Sequence, residues 1–267
     1  MLQREVSANG IVTYVSPLLR QLKVPHAFST RIGGISPKPF DSMNLGNPTG
    51  CAVQDTSERI RENYRMLMRA TGCADRDLLW VHQVHGGRVI RVRPGVPHDQ
   101  DAKADALVGD DPSQVLSVRI ADCVPVLLAS DDGRVVAAVH AGWRGVIAGV
   151  AIAAIQEMNT IRDVPASRLT AAIGPSIGYD AFEVGSEVLD EFSRTFGPDA
   201  PIRRLPDGKG RVDLRQALRR QLTDAGILAE RIDTTDRCTY RHADEFFSHR
   251  RDNGISGRMA AIIATSR

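Results

Sequence analysis

The chain has 267 residues, 42% of them hydrophobic, which favours one large globular domain over a disordered or fibrous protein. Its 34 Lys and Arg against 32 Asp and Glu leave a formal charge of +2, too balanced to predict a nucleic-acid groove or a membrane surface. No apolar stretch reaches the roughly 18 residues of a membrane span, and the first ten residues lack a signal-peptide core. We therefore expect a cytoplasmic protein with a single domain over residues 1–267.

The hydrophobic pattern predicts helices and strands in mixed order. Helices are predicted at 57–71, 144–158, 185–195 and 213–226. Strands are predicted at 11–15, 88–93, 115–120, 124–130, 134–140, 169–173 and 259–264. Because strands follow one another as well as alternating with helices, we expect a mixed α/β (α+β) fold in which helices pack against a mixed β-sheet. Long loops are expected at 33–48 and 91–104, and loops of this length are candidate walls of a pocket.

The stretch "ADCVPVLLASDDGRVVAAVHAGWRG" predicts a β-hairpin. The Asp-Gly pair at 132–133 separates two apolar runs and favours a two-residue turn with positive φ at both positions. Pairing the residues that flank this turn puts His140 opposite Pro125 and places Cys123 on the same face as His140. Because Pro125 cannot donate a ladder hydrogen bond, we expect its strand to lie at a sheet edge or to be bulged there.

A histidine and a cysteine on one face serve either metal ligation or nucleophilic catalysis with histidine as the base. A third ligand favours a metal, and "WVHQVHGG" supplies His82 and His85. Two histidines and one cysteine leave the fourth zinc position open for water or substrate, which is typical of a catalytic site. In the alternative, His140 ends a strand, Cys123 is an ordinary buried thiol and His85 lies in a loop; spacing alone does not choose between them. The four cysteines contain no CxxC pair, so neither a zinc ribbon nor a disulfide framework is indicated.

Polar residues in three other stretches are candidates for binding an anion. Arg144 in "AGWRG" lies at the expected start of a helix, where free backbone N–H groups attract anions. Arg31 in "FSTRIGG" and Asn44 in "SMNLG" lie in expected loops and are candidates to contact a ligand. Arg250 belongs to the most basic local cluster of the chain, which comprises Ser248, His249, Arg250, Arg251 and Arg258. Each stretch also reads as ordinary loop chemistry or as a solvated surface.

Taken together, nine motifs resemble the bacterial laccase-domain family, also called the multicopper polyphenol oxidoreductase or YfiH-like family, which includes purine nucleoside phosphorylases. They are "FSTRIGG", "MNLG", "QVHG", "ADCVPVLL", "VHAGWRG", "IGPSIG", "CTY", "FFSHRRD" and "GRMAAII", spread in the family's order over about residues 26–264. The sequence departs from the family pattern at Ser176, Phe182 and Leu218, where cysteine, tyrosine and asparagine are frequent. These departures bear on substrate preference.

The resemblance implies a single zinc ion held by His85, Cys123 and His140, with copper as an alternative occupant. It implies a mixed α/β sandwich fold related to cysteine-hydrolase-like toxins. The implied reaction is phosphorolysis of adenosine, inosine or methylthioadenosine to a free purine and a ribose 1-phosphate, with adenosine deamination as a second activity. Arg31, Arg144 and Arg250 are then candidate phosphate ligands, with Asn44 a further substrate contact. The expected partners are a purine nucleoside and phosphate, with no nucleic acid and no membrane.

Three other functions remain open at the level of the sequence. One is a copper-dependent polyphenol oxidase, although seven histidines spread along the chain are few for several coppers. Another is a hydrolase with Cys123 as nucleophile and His140 as base, acting in the editing of a peptidoglycan precursor. A third is a non-catalytic sensor with a structural metal, which requires a fourth protein ligand such as Cys238 or His249.

Overall fold

The computed structural model describes residues 1–267 and contains two six-stranded β-sheets, a small third sheet and six α-helices. The strands are β1 (Gln3–Val6), β2 (Val12–Val15), β3 (His26–Ser29), β4 (Asp77–Leu79), β5 (Val89–Arg91), β6 (Ala106–Gly109), β7 (Gln114–Ile120), β8 (Val124–Ser130), β9 (Val136–Ala141), β10 (Leu169–Ile173), β11 (Glu183–Val184), β12 (Ile202–Arg204), β13 (Gly210–Val212), β14 (Ile232–Asp233) and β15 (Met259–Ile263). The helices are α1 (Pro17–Gln21), α2 (Ser57–Ala70), α3 (Trp143–Ile147), α4 (Val150–Arg162), α5 (Ser186–Phe196) and α6 (Leu214–Asp224). No helix combines the length and the apolar character needed to cross a bilayer.

Both large sheets are mixed. The first has the strand order β1-β2-β3-β15-β7-β4, and the second has the order β14-β10-β8-β9-β6-β5. The outer pairs β4·β7, β5·β6 and β10·β14 are parallel, and the other pairs are antiparallel. The small sheet has the order β11-β13-β12. The predicted mixed α/β fold with packed helices is confirmed.

The two large sheets pack face to face, with helices covering their outer faces. Phe28, Leu116 and Leu127 belong to the apolar layer between the sheets. Helix α4 packs on the second sheet, and α5 and α6 add side chains to the same apolar cluster. Helix α2 covers the first sheet through Tyr64 and Leu67. Every residue of β8 and β9 is buried, because both faces of these strands are covered. This burial explains their nearly continuous apolar sequence.

Three of the four predicted helices are confirmed within two residues at each end, and one prediction is wrong. Where one helix was expected at 144–158, the structure has α3 and α4. Gly149 separates them with φ of 70°, a left-handed conformation that an α-helix does not continue through. The break leaves a one-and-a-half-turn helix directly after β9, so the chain reverses close to the end of that strand.

The register of the β8–β9 hairpin is as predicted, but its turn is different. Pro125 lies opposite His140. The turn has positive φ only at Gly133, not at both central positions, and the N–H of Ser130 donates to the Val135 carbonyl. The Ser130 hydroxyl oxygen accepts hydrogen bonds from the backbone N–H groups of Arg134 and Val135 at 3.1 and 3.0 Å. These bonds close a longer loop than the two-residue turn that was expected. The longer loop leaves the same residues of β8 and β9 opposite each other, so the predicted register is kept.

The expectation that Pro125 marks a sheet edge is wrong, because β8 lies between β9 and β10. The backbone N–H of His140 donates to the Asp105 carbonyl at 2.8 Å, toward β6 and away from β8. The Pro125–His140 pair is therefore a pair without mutual hydrogen bonds. On its other side the Pro125 carbonyl accepts from the Gly174 N–H at 2.9 Å, one residue past the end of β10, so the missing proline donor falls at the end of the β8–β10 ladder.

Candidate metal centre and substrate cavity

His85, Cys123 and His140 converge at one point beside the start of β8 and the end of β9. Their Nδ1, Nε2 and Sγ candidate donor atoms all lie within 4.8 Å of one another. His140 comes from the end of β9, Cys123 from the turn before β8, and His85 from the loop between β4 and β5. The His85 and His140 rings meet edge to face, with their centroids 4.9 Å apart. The convergence of Cys123 with His140, predicted from the hairpin, is confirmed.

Asp105 is a site residue that the sequence analysis missed. Its Oδ1 accepts a hydrogen bond from His140 Nδ1 at 2.9 Å and another from the His85 backbone N–H at 2.9 Å. Its Oδ2 accepts from the Gly86 N–H at 2.6 Å, and the side chain is fully buried. These bonds to the charged form lower the pKa of Asp105 even though burial raises it. Asp105 thus directs His140 Nε2 toward Cys123 and supports the His85 loop.

Cys123 and His140 form a coupled ion pair. Burial by itself raises the pKa of Cys123, but His140 and His85 outweigh it and lower the pKa to about 6. Burial likewise opposes the charged form of His140, yet the Cys123 thiolate and Asp105 raise its pKa to about 9. Between these values the metal-free pair is a thiolate beside an imidazolium. A thiolate is the form of cysteine that binds metals and attacks electrophiles.

Asp122 connects this cluster to the C-terminal part of the chain. Its φ of 87° is left-handed, a conformation uncommon outside glycine, in the turn that presents Cys123. Its carboxylate accepts hydrogen bonds from the Thr239 hydroxyl at 2.6 Å and from the Arg250 N–H at 2.7 Å. The turn before β8 is therefore held by contacts with residues more than 100 positions away.

A cavity of about 570 Å³ opens onto the three-residue cluster, a volume typical of small-molecule sites. Four apolar side chains form part of its wall: Trp143, Ile177, Phe182 and Leu214. Basic side chains form much of the rest: Arg119, Arg144, His249, Arg250 and Arg258. Of the two loops proposed as walls, 33–48 contributes Asn47, whereas 91–104 contributes no lining residue, so that prediction is wrong.

Arg144 and Arg250, two of the candidate substrate ligands, lie in the cavity wall. The Arg144 guanidinium lies 4.3 Å from the ring centroid of Trp143, and that of Arg250 lies 5.5 Å from the ring of Phe182. Arg250 Nη1 also donates to the Glu183 carbonyl at 2.9 Å. Both guanidiniums thus stand against aromatic rings of the apolar wall. Phe182 is one of the positions where the sequence departs from the family pattern, and it contacts the cavity.

Arg31 and Asn44, the other two candidate substrate ligands, are not among the side chains that line this cavity. The Arg31 guanidinium donates to the carbonyl of Asp41 at 2.8 Å and to that of Ala243 at 3.0 Å. Asn44 is completely buried, and its Oδ1 accepts from the Arg258 N–H at 2.9 Å. The loops use these side chains to hold their own backbone, a role that composition does not reveal.

The donor set fits a metal ion. Two imidazole nitrogens and a thiolate suit zinc and also copper, and His140 has the carboxylate partner that metal-ligating histidines commonly have. Neither Cys238 nor His249 belongs to the cluster, and the Cys238 thiol accepts a hydrogen bond from the Gly178 N–H. His82 lines the cavity but is outside the cluster, as expected. Three protein donors leave room for a ligand from the cavity.

The fold and the cluster define the class of protein: a two-sheet α/β sandwich with a three-residue, metal-type cluster at the base of a cavity. The chain belongs to the multi-copper polyphenol oxidoreductase laccase family, whose family model matches residues 25–266. The resemblance to YfiH-like proteins is therefore confirmed.

Similar proteins share nearly the whole chain. Purine nucleoside phosphorylase YfiH of Escherichia coli strain K12 is 39% identical over 236 residues, covering 88% of this chain and 91% of that protein. A purine nucleoside phosphorylase of Deinococcus radiodurans is 36% identical over 254 residues, covering 94% of each chain. The crystal structure of YlmD from Geobacillus stearothermophilus matches with a TM-score of 0.88 and 31% identity, covering 100% of this chain and 99% of that one. Relatives with this name indicate an enzyme of the phosphorylase kind.

Proposed function

We propose that the protein is a zinc-dependent purine nucleoside phosphorylase. It would convert adenosine, inosine or methylthioadenosine and phosphate into a free purine and a ribose 1-phosphate, with adenosine deamination as a side activity. One observation carries this proposal: a single cavity joins the His-Cys-His cluster, an apolar wall and four arginines. A nucleoside and phosphate together need these three kinds of surface. The names of the similar proteins support the same reaction.

In this proposal, His85, Cys123 and His140 hold the metal and so position it at the cavity. When bound, zinc supplies Lewis-acid stabilisation of charge on the substrate, and copper is the alternative occupant. Asp105 keeps the His140 ring oriented and its Nδ1 protonated.

The apolar wall would receive the purine base. Trp143, Phe182 and Leu214 offer a surface on which an aromatic base packs without exposing polar groups. Arg144 and Arg250 stand at the edge of this wall, so we assign them to substrate contacts. The base and its leaving-group nitrogen then lie in a partly dehydrated pocket, where hydrogen bonds to developing charge are strong.

Product analysis tests the phosphorylase proposal. Metal-analysed protein is incubated with adenosine or inosine, with and without phosphate, and the products are separated. Free base and ribose 1-phosphate that form only with phosphate support the proposal, and inosine formed from adenosine adds the deaminase activity. The His85→Ala, Cys123→Ala and His140→Ala variants should each lose metal and turnover. A zinc-loaded protein that cleaves no nucleoside would refute the assignment.

A second candidate is a cysteine hydrolase, favoured by the Asp105–His140–Cys123 arrangement. A thiolate, a histidine and an orienting carboxylate in this order form a nucleophilic site when no metal blocks the thiol. Editing of a peptidoglycan precursor is the expected reaction for this alternative. Metal-free protein that hydrolyses such a precursor, and loses this activity on alkylation of Cys123, would favour the hydrolase over the phosphorylase.

The copper-dependent oxidase alternative has weaker support. The structure has one cluster of histidine, cysteine or acidic residues arranged to hold a metal, and it has three members. Electron transfer through several coppers requires further ligand groups. Oxidation of a phenol by copper-loaded protein, lost in Cys123→Ala, would revive this alternative.

We also propose that the whole chain acts as one domain in the cytoplasm. Strand β15, near the C-terminus, pairs with β3 and β7 at the centre of the first sheet, which ties the ends of the chain together. All four cysteines are unpaired, as is common in a reducing compartment. The partners in this proposal are the nucleoside and phosphate, with no nucleic acid.

A further inference from the structure

Two arginines of the cavity, Arg119 and Arg258, lie side by side on the first sheet. The antiparallel register of β7 and β15 pairs Ala260 with Arg119. Extending that register past the start of β15 puts Arg258 diagonal to Arg119, so the two residues share one face of the sheet. Gly46 lies against both: a Cβ built on it would be 2.8 Å from Arg119 Cδ and 3.6 Å from Arg258 Cβ. The backbone at position 46 thus packs on both stems.

Neither guanidinium has a carboxylate partner. The Arg119 guanidinium donates to the Val81 carbonyl at 3.4 Å, and Arg258 Nη1 donates to the carbonyls of Ser256 and Gly257 at 2.8 and 3.1 Å. Burial lowers the pKa of Arg258 and the positive charge of Arg119 lowers it further, although the nearby Cys123 thiolate and Asp122 carboxylate raise it. Two half-buried like charges in one cavity repel each other, and an anion between them relieves that repulsion.

The loop beside these arginines is built to hold them. Asn44 is completely buried, and its Oδ1 accepts hydrogen bonds from the N–H groups of Arg258 and Gly46 at 2.9 and 3.2 Å. Its amide donates to the Asp55 carboxylate at 3.1 Å. This support distinguishes the pair from arginines that extend freely into solvent, because the positions of both stems are set by packed neighbours.

We propose that Arg119 and Arg258 form the subsite for the phosphate cosubstrate. This inference rests on the proposed phosphorylase function and names the residues that bind its second substrate. Two adjacent guanidinium forks offer paired N–H donors to a tetrahedral oxyanion. Arg144 and Arg250 are assigned to the nucleoside instead, because each is stacked on a ring of the apolar wall. Phosphate and nucleoside then occupy different parts of one cavity.

Calorimetric titration of inorganic phosphate into metal-loaded protein tests the subsite directly, without any turnover. We expect Arg119→Gln and Arg258→Gln each to weaken phosphate binding about tenfold or more, since each removes charge-assisted hydrogen bonds. Arg119→Lys and Arg258→Lys keep the charge but lose the fork, so their affinities should be intermediate. Arg93→Gln is the matched control, because Arg93 is exposed and lies outside the cavity lining.

Steady-state kinetics provides the second readout. The KM for phosphate should rise in both Gln variants by about the factor lost in binding, while the KM for the nucleoside stays within about twofold. Melting temperature and metal content are measured for every variant. Arg258 also donates to main-chain carbonyls, so Arg258→Gln could lower the melting temperature by itself. In that case the phosphate affinity and KM of Arg119→Gln decide the test.

Different outcomes separate the subsite from the phosphorylase function. The protein could bind phosphate through Arg119 and Arg258 and yet cleave no nucleoside. That outcome would support the anion subsite and refute the phosphorylase function. Unchanged phosphate affinity in Arg119→Gln, with loss in Arg144→Gln or Arg250→Gln, overturns the subsite while the phosphorylase stands. If adenosine 5′-monophosphate binds through the pair but free phosphate does not, the anion belongs to a nucleotide and the assignment to free phosphate is overturned.

Discussion

At the scale of single residues, Asp105 controls the His140 ring. The carboxylate accepts from His140 Nδ1 and from backbone N–H groups of the His85 loop, so one residue orients two of the three proposed ligands. Asp105→Asn replaces one acceptor oxygen with an NH2 group. This new donor would face the N–H groups that Asp105 now accepts from, so buried donors would be left unpaired. We expect metal affinity to fall by about 10- to 100-fold, measured by competition with a chelator.

The exposed Asp101→Asn substitution is the control for Asp105→Asn. It makes the same chemical change outside the cluster and should leave metal affinity unchanged. Wild-type metal affinity in Asp105→Asn would show that the carboxylate does not support the ligands.

The paired charges of Cys123 and His140 predict the reactivity of the metal-free protein. Because the pKa of Cys123 is lowered to about 6, its thiolate forms above that pH and should be alkylated with a midpoint near pH 6, against about 8.5 for an ordinary cysteine. The rate is measured with iodoacetamide from pH 5 to 9 by mass spectrometry of the Cys123 peptide.

His140→Gln checks the cause of this reactivity. It removes the imidazolium, so the alkylation midpoint of Cys123 should move upward. A wild-type midpoint above pH 8 would contradict the ion pair.

At the scale of elements, the junction between β9 and α3 is shaped around the cluster. A Cβ on Gly142 would lie 3.0 Å from Cys123 Sγ and 3.0 Å from His85 Cδ2, so this glycine permits close approach of the ligands. Its φ of −72° suits any residue, so Gly142→Ala should leave the helix intact and act only through that contact. We expect lower metal stoichiometry, with a small change in the melting temperature of the metal-free protein.

Gly86→Ala is the matched control for Gly142→Ala. It also lies beside the cluster, but its added methyl group would meet its nearest neighbour, Asp105 Oδ2, at 3.6 Å, which is ordinary contact. Equal metal content in the two variants would show that the cluster tolerates a methyl group at position 142, which would contradict the close contacts expected there.

At the scale of the whole molecule, metal binding should stabilise the fold. The three ligands come from the loop before β5, the turn before β8 and the end of β9, so a bound ion would join separate segments. A ligand at about 100 times its Kd stabilises the native state by about 2.7 kcal/mol. For a chain of this size we expect removal of the metal to lower Tm by about 5 °C or more, measured by thermal unfolding.

Two comparisons control this experiment. Added zinc should restore the original Tm of the wild type, whereas Cys123→Ala should show no metal-dependent shift. Equal Tm values for loaded and metal-free wild-type protein would place the metal outside the folded cluster.

Local patterns predicted the parts of the site that one short segment carries. The alternation of side chains along the β8–β9 hairpin has a period of two, so its register alone brought His140 and Cys123 to one face. The predicted turn type was wrong, but this did not affect the predicted pairing, because the longer loop has the same register. The helix break at Gly149 was missed because the apolar pattern continues across it, although the glycine adopts a left-handed conformation.

The amino-acid sequence by itself determined the mixed fold, the hairpin register and the family motifs, because these depend on periodicity and on residues close together in the chain. Only the tertiary structure decided that Asp105 supports His140, that Arg31 and Asn44 hydrogen-bond to loop backbone, and that Arg119 stands beside Arg258. Arg119 and Arg258 lie on β7 and directly before β15, which are far apart in the chain and become neighbours by strand pairing. Such contacts follow from packing over long sequence separations, which no local pattern encodes.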